Sequence, residues 1–362
     1  MPYTHNWEAD VQNSFGRAAV AAALMVLFAR VPGAYAATWY VADAGVDGPA
    51  CGLSVSAACR SIGQAIEFAT AGDTVLVGPG RYGDLNGNQI LGEPGEERGF
   101  GGACVLAVNK PLIIVSSSGA AATTIDGHSV QAEANVCVMA VGAQFGRPGK
   151  GFTVTESIHF RPNFGGFDGI GIRIDASGGA TVRGNRVTLI APEHPEWAGS
   201  GVGILAVTDA PHLIEGNAVT RWGIGIDSLG AATTVRKNEV TWNGIGMNAG
   251  GTIIGNVAMA NYQGISAWPT ATVTNNAVWM NEFGIVVSET FAGAITKSNL
   301  FANSTCGLYN VGRSGLRATN NYWGAPSGPG GLPASAVCDA SGGTTIVSPV
   351  ATKPFTVTIL KP

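Results

Sequence analysis

The sequence predicts an all-β chain, a β-solenoid of short parallel strands with a short N-terminal capping helix, on three observations. The first is a phrase that recurs seven times between Gly169 and Gly324, opening with Gly and an aliphatic residue and closing with Asn two places before an apolar residue. Its copies open at Gly169, Gly201, Gly223, Gly244, Gly264, Gly284 and Gly307 and close at Asn185, Asn217, Asn238, Asn256, Asn276, Asn299 and Asn321, with opening-to-opening steps of 32, 22, 21, 20, 20 and 23 residues. A fixed short period means a stacked architecture. The second observation is the period of two inside each copy, in two halves broken by Gly and Asn, which does not suit a helical repeat. The third is that like residues recur at like places. Aligned on the opening glycines, Ile170, Val202, Ile224, Ile245, Ile265, Ile285 and Leu308 should stack inside, as should Val187, Val219, Val240, Ala258, Val278, Phe301 and Trp323. Parallel strands about 4.8 Å apart turn such columns into ladders. The asparagines read as corner residues, because Asn tolerates positive φ and its amide can bond to the next amide in a ladder.

Taken in order, residues 1–36 read as a signal peptide. The apolar run from Ala19 is too short to span a membrane and leads to the small-x-small ending Ala34-Tyr35-Ala36, although Glu8 and Asp10 precede it. Residues 37–362 read as one domain, with regular repeats over 169–324. Thr38–Ala42 is a first strand. Ser61 with Gln64 makes a capping-box pair, and Ile62, Ala65, Ile66 and Ala69 form the apolar face of a helix over 61–70. That helix is placed to cover the open end of a solenoid, where an exposed cross-section invites stacking. Asp73–Tyr82 gives a buried strand and a sharp turn, 85–103 a long loop, and 111–155 a few irregular coils. A second long insertion, Leu189–Ser200, carries Glu193, His194, Glu196 and Trp197. Thr344–Val347 and Thr356–Leu360 should finish the last turns.

The cysteines number six: Cys51, Cys59, Cys104, Cys137, Cys306 and Cys338. An even count in an exported chain fits disulfides, and pairing of neighbours in order is the favoured connectivity, with a free thiol at Cys306 as the alternative. No pair has the short spacing of a structural zinc site. The net charge of −4 leaves no broad basic surface, so nucleic acid is not an expected partner.

The runs Trp39–Gly45 and Cys51–Tyr82, with Asn320-Asn-Tyr-Trp-Gly-Ala-Pro-Ser-Gly-Pro329, carry a resemblance. The first two look like the N-terminal coil, and the third the last coil, of bacterial right-handed parallel β-helix proteins of the pectin-lyase-like superfamily. With the repeats, the resemblance covers most of residues 38–350. It implies a right-handed parallel β-helix. It implies little about activity, since the superfamily holds polysaccharide lyases, glycoside hydrolases, esterases and phage tailspikes.

Strand alternation would point the third and fifth residues of each copy outward. Gly171, Gly203, Gly225 and Gly246 would then make a flat floor, walled by Arg173, Asp227, Asn248 and Trp268 and flanked by Asp168 and Trp222. Such a groove suits an extended glycan, with rings stacking on Trp222 or Trp268 and with Asn248, Glu193, His194 and Trp197 assisting. The competing reading is that Gly only relieves crowding at a bend. Arg183, Glu215 and Arg236 form a ladder of alternating charge that reads as stabilising rather than catalytic.

An inverting hydrolase needs two carboxyls about 6.5–9.5 Å apart. Asp168 and Asp227 would stand ~10 Å apart along the axis. The polygalacturonase signatures Asn-Thr-Asp, Asp-Asp, Gly-His-Gly and Arg-Ile-Lys are absent, the nearest phrase being Arg173-Ile-Asp175. A polyuronide lyase needs its substrate carboxylate neutralised by calcium or by Arg, and a base for the adjacent proton. Arg173 would be the carboxylate partner, assisted by Asp168 and Asp227. No cofactor is called for beyond calcium in that lyase reading. The expected protein is exported (secreted, periplasmic or at the cell surface), monomeric and without stable membrane association after cleavage. It binds an extended acidic polysaccharide, with β-elimination as the cleavage chemistry if there is one. The alternative is a non-catalytic, adhesin-like surface rod.

Overall fold

A computed structural model describes residues 36–127, 132–155, 160–161, 166–167, 169–189 and 201–362. The expected signal peptide therefore lies outside the described residues, apart from Ala36. Ala36–Pro362 forms one compact unit. Three parallel sheets run its length, each coil contributing one strand to each. In the coil that opens the regular repeats, Ile170–Ile174 lies in sheet III, Thr181–Arg183 in sheet I and Arg186–Thr188 in sheet II. Val202–Ala206 then returns to sheet III, beside Ile170–Ile174.

The core is the stack of inward side chains of the three sheets. Sheet I supplies Val182, Ile214, Val235, Ile253, Val273 and Ile295, and sheet II Val187, Val219, Val240, Ala258, Val278 and Leu300, all fully buried. Phe301, expected inside, points out instead and stacks on Trp279 with ring centroids 5.7 Å apart. The reason is a one-residue offset in the last full coil: Ser298, not Asn299, holds the corner position there, so Leu300 takes the inward place.

The corner asparagines do form a ladder. Asn217 Nδ2 donates to Asn238 Oδ1, Asn238 to Asn256 and Asn256 to Asn276, each at 3.0 Å, with every member buried. Positive φ falls not on these residues but on the one before: Lys237 (54°), Gly255 (68°) and Asn275 (54°). The backbone turns there, and the following Asn faces inward to satisfy peptide groups that the turn leaves unpaired. A second ladder, not foreseen, lines the corner between sheets II and III. Asn243, Asn261, Asn281 and Asn303 link in the same way at 3.0 Å, and the N–H of Trp222 donates to Asn243 at its head.

Helix α1 (Ile62–Phe68) starts at Ser61, whose hydroxyl accepts the N–H of Gln64, and buries Ile62, Ala65 and Ile66 in the same cluster as Val41, Val75 and Val77. The cysteines pair in order as Cys51–Cys59, Cys104–Cys137 and Cys306–Cys338, so Cys306 is not a free thiol. The last two disulfides have one geometry. Each joins the first outward place of a sheet III strand to the second outward place of the next coil, with Cα atoms 5.9 Å apart, near the two ends of that sheet. Thr345–Ile346 pairs with Leu316–Arg317, but Thr356–Leu360 does not finish a coil. That tail runs back along the solenoid, where Phe355 exchanges two hydrogen bonds with Asn299 and the Leu360 N–H donates to Lys237. Among the described residues no helix is long and apolar enough to cross a membrane.

Candidate functional site

The outer face of sheet III is the candidate site, and it differs from the expected one in register. Sheet pairing aligns Ile172, Ile204, Ile226 and Met247 with Ile265, Ile285 and Leu308, and these seven side chains fill the core. Ile170, Val202, Ile224 and Ile245, expected inside, are half-buried on the outer face, paired onward to Gln263 and Phe283. Aligning the copies by their opening Gly thus slips by two residues between the fourth and fifth.

The glycine floor does not exist as a surface. Gly171, Gly203, Gly225, Gly246, Gly264 and Gly284 face inward, and a Cβ on any of them would come within 2.6 Å of the carbonyl oxygen of the glycine one coil on. Val187, Val219 and Val240 crowd the same space. Two successive residues, Gly171 and Ile172, therefore turn inward, and alternation fails at the bend where the chain enters the sheet. The crowding reading is the right one. Trp222 shares this fate: it is 0 % exposed, its Nε1 donating to the Val187 carbonyl, so it cannot stack on a ligand.

The remaining residues do come together. Arg173, Leu205, Asp227, Asn248, Ser266, Val286 and Tyr309 form one outward column on successive coils. Trp268, 41 % exposed, donates from Nε1 to Asn248 Oδ1 at 2.7 Å, and Asn248 Nδ2 donates to Asp227 Oδ1 at 3.0 Å. Burial pushes the Asp227 carboxyl above the usual carboxylate range, and the Asn248 amide only partly offsets it. An open hollow of about 380 Å³ adjoins this chain, lined by Asn248, Ser266, Trp268, Val286, Ser288 and Val311. Aromatic rings continue across the face, Tyr262 to Phe283 at 5.6 Å and Phe283 to Tyr309 at 5.3 Å.

Arg173 sits four coils from Trp268 and is committed elsewhere: Nη1 pairs with Glu133 at 2.7 Å and Nε with Asp175 at 2.9 Å. Asp168, Glu193, His194 and Trp197 lie outside the described residues. The segments that contain them, 156–169 and 189–201, both connect sheet II to sheet III, as does the 84–103 loop one end further along. Long insertions thus leave one corner, the one bordering the outer face of sheet III. The charge ladder reads as expected, with Glu215 held between Arg183 and Arg236 at 2.7 Å each. His212 is buried, accepting the Ala180 N–H on Nδ1, and belongs to a turn.

For calcium in a lyase site, the described residues around Trp268 supply Asp227 as the one acid, while Glu133 and Asp175 are held by Arg173 further along the face, which does not fit a carboxylate-bridging ion. Among the described residues, the one group of three His, Cys, Asp or Glu ligand atoms within 4.8 Å of one another, Asp47 with Cys51 and Cys59, involves disulfide-bonded sulfurs.

Residues missed by sequence reasoning are Tyr262, Phe283 and Tyr309 on the face and the second asparagine ladder beneath it. The available signal was Asn three residues before the inward Gly, in Asn243/Gly246, Asn261/Gly264 and Asn281/Gly284. Alignment on that pair gives the observed register.

No curated protein matches the chain. A solved structure titled as pectate lyase Pel9A is similar at 15% identity and a TM-score of 0.44, over 87% of this chain and 78% of that one. Residues 170–322 match the family model described as right handed beta helix region. With three parallel sheets coiled about one apolar core, the described residues form a parallel β-helix, and the match to the right handed beta helix region falls on its regular repeats.

Proposed function

We propose that this protein binds an extended polysaccharide on the outer face of sheet III, centred on Trp268. The observation that carries the reading is the hydrogen-bonded chain Trp268–Asn248–Asp227 on three successive coils beside an open hollow. Sugars offer an apolar ring face and a rim of hydroxyls. A half-exposed indole suits the first, and a row of amide, hydroxyl and carboxyl groups at about 4.8 Å spacing suits the second. The row runs along the solenoid, which favours a polymer over a single sugar.

β-Elimination from a uronate is supported less well. It would need Arg173 to exchange Glu133 and Asp175 for a substrate carboxylate, and removal of two charge-assisted bonds opposes that. Export of a monomer fits the three disulfides, which form in oxidising compartments.

The test is affinity electrophoresis of the mature chain through a panel of neutral and uronate polysaccharides, with ultraviolet absorbance recorded for unsaturated products. Retention by at least one polymer, lost in Trp268→Ala, is the expected result. No retention on any polymer, or retention unchanged in that variant, overturns the reading. A rising absorbance would add elimination to binding.

A further inference from the structure

The loop between sheet II and sheet III in the first coils carries chemistry that the glycan face does not use. Asp84, Asn86 and Asn88 place an oxygen-bearing side chain at every second residue, the spacing with which calcium loops begin. Asp84 is 0 % exposed, and its two carboxylate oxygens accept the N–H groups of Gly87 and Gln89, each at 2.8 Å. Asn86 Oδ1 accepts the Asn88 N–H and Asn88 Oδ1 the Ile90 N–H, so the chain wraps around its own side chains. Gln89, sixth from Asp84, has φ +66°, where calcium loops make their sharp turn with Gly. Glu93 closes over the top, Oε2 accepting the Asn88 amide at 2.7 Å.

A self-bonded acidic loop proves nothing alone. Glu96 adds an independent observation. Its side chain is buried, 3 % exposed, and Oε1 accepts the Leu85 N–H at 3.0 Å, which seats the carboxylate against the first turn of the loop. Its Oε2 is sealed from solvent and has no hydrogen-bond partner. A carboxylate oxygen buried without a donor is costly, and native structures satisfy such groups with a proton donor or a metal. Its neighbour Glu97 turns the other way, accepting the N–H groups of Ile62 and Gly63. Arg81 donates to the carbonyls of Asp84 and Leu85, and so anchors the loop by its backbone.

We propose that residues 84–96 form a structural calcium site, ligated by the side-chain oxygens of Asp84, Asn86, Asn88, Glu93 and Glu96. The donor set is all oxygen, without thiol or imidazole, which selects a hard cation. Its irregular spacing suits the flexible shell of calcium better than the octahedron of magnesium. The carboxylates of Asp84, Glu93 and Glu96 do not all lie within 4.8 Å of one another, and Glu93 Oε2 is held by the side-chain amides of Asn86 and Asn88, so the loop must close further around the ion on binding. This site is independent of glycan binding and lies at the end of the solenoid that α1 covers. Binding would fix a long loop against that end.

Calorimetric titration of the chelator-treated mature chain with calcium chloride, and separately with magnesium chloride, tests the proposal. The expected result is one saturable calcium site per chain, weaker magnesium heat, and a melting temperature that rises with calcium. Glu96→Gln, which keeps the shape and removes the charge, should lose at least about tenfold in calcium affinity. It should melt in chelator no lower than the parent chain. Asn88→Ala, on the exposed side of the loop, should weaken calcium binding while folding normally. Absence of saturable calcium heat in the parent chain overturns the site, as does parental calcium affinity in both variants.

Discussion

Trp222 and Trp268 are two coils apart and each lies close to a repeat glycine, yet their roles are opposite. Trp222 is sealed in the core and Trp268 stands half out of the surface. Trp222→Ala should leave a cavity costing about 3–5 kcal/mol of stability, read by urea denaturation, with glycan retention per folded molecule unchanged. Trp268→Ala should change stability by less than about 0.5 kcal/mol and weaken glycan binding about tenfold or more. His212 offers a pH test. Burial pushes its imidazole below its ordinary value of 6.5, and Nδ1 accepts the Ala180 N–H, so a proton there would face a donor. A histidine with a lowered folded pKa binds its proton more weakly in the native chain than in the unfolded one. Its contribution to stability is present above pH 6.5 and is lost as pH falls through the lower folded value. Melting temperature should therefore fall on acidification from pH 6.5, and less so in His212→Gln.

At the scale of the element, the two asparagine ladders line two successive corners, and the glycine column packs beside the second. Each Asn joins its neighbours and a peptide carbonyl one coil behind, as Asn238 does with Asn256 and Ile214. Asn238→Ala would strip buried partners from the Asn217 N–H and Nδ2 together, at about 1–3 kcal/mol for each group left unsatisfied. Gly225→Ala would drive a methyl group against the Gly246 carbonyl, a backbone atom that cannot swing aside. The resulting overpacking should cost about 1–3 kcal/mol or more, read as a drop in urea midpoint. Of these two corners only the first was legible. Asparagine two places before an apolar residue revealed the first ladder, because that pairing holds in every copy except the one where Ser298 stands in. The second ladder and the direction of the glycines were hidden, since the opening dipeptide Gly-Ile occurs two residues apart within the same strand. Gly169-Ile170 and Gly171-Ile172 fit the same phrase, and only one can face the core.

At the scale of the molecule, stability is that of a stack, with neighbouring coils holding one another and the ends most exposed to fraying. Helix α1 covers one end, and disulfides Cys104–Cys137 and Cys306–Cys338 join neighbouring coils towards each end of sheet III. Replacing Cys306 and Cys338 by Ser should cost about 2–4 kcal/mol, the usual worth of a native bridge. Hydrogen exchange should locate the loss: amides of 299–340 should speed up, while those of 224–259 keep their protection. Uniform acceleration along the chain would instead mean that the solenoid unfolds as one unit.

The sequence by itself determined the period, the parallel stacking and the corner asparagines of the first ladder, because each is a local pattern repeated along the chain, and it favoured the capping helix and the in-order pairing of the cysteines that the fold then bore out. It also singled out Asp227, Asn248 and Trp268, which tertiary structure brings into one hydrogen-bonded chain. Only the fold decided that the glycines point inward, that Trp222 is core and that Arg173 is already paired. Strand alternation fails where the backbone bends between two sheets, and the facing of a side chain past that bend is set by what the next coil leaves room for. Glu133, the partner that occupies Arg173, lies 40 residues away in sequence and one coil away in space.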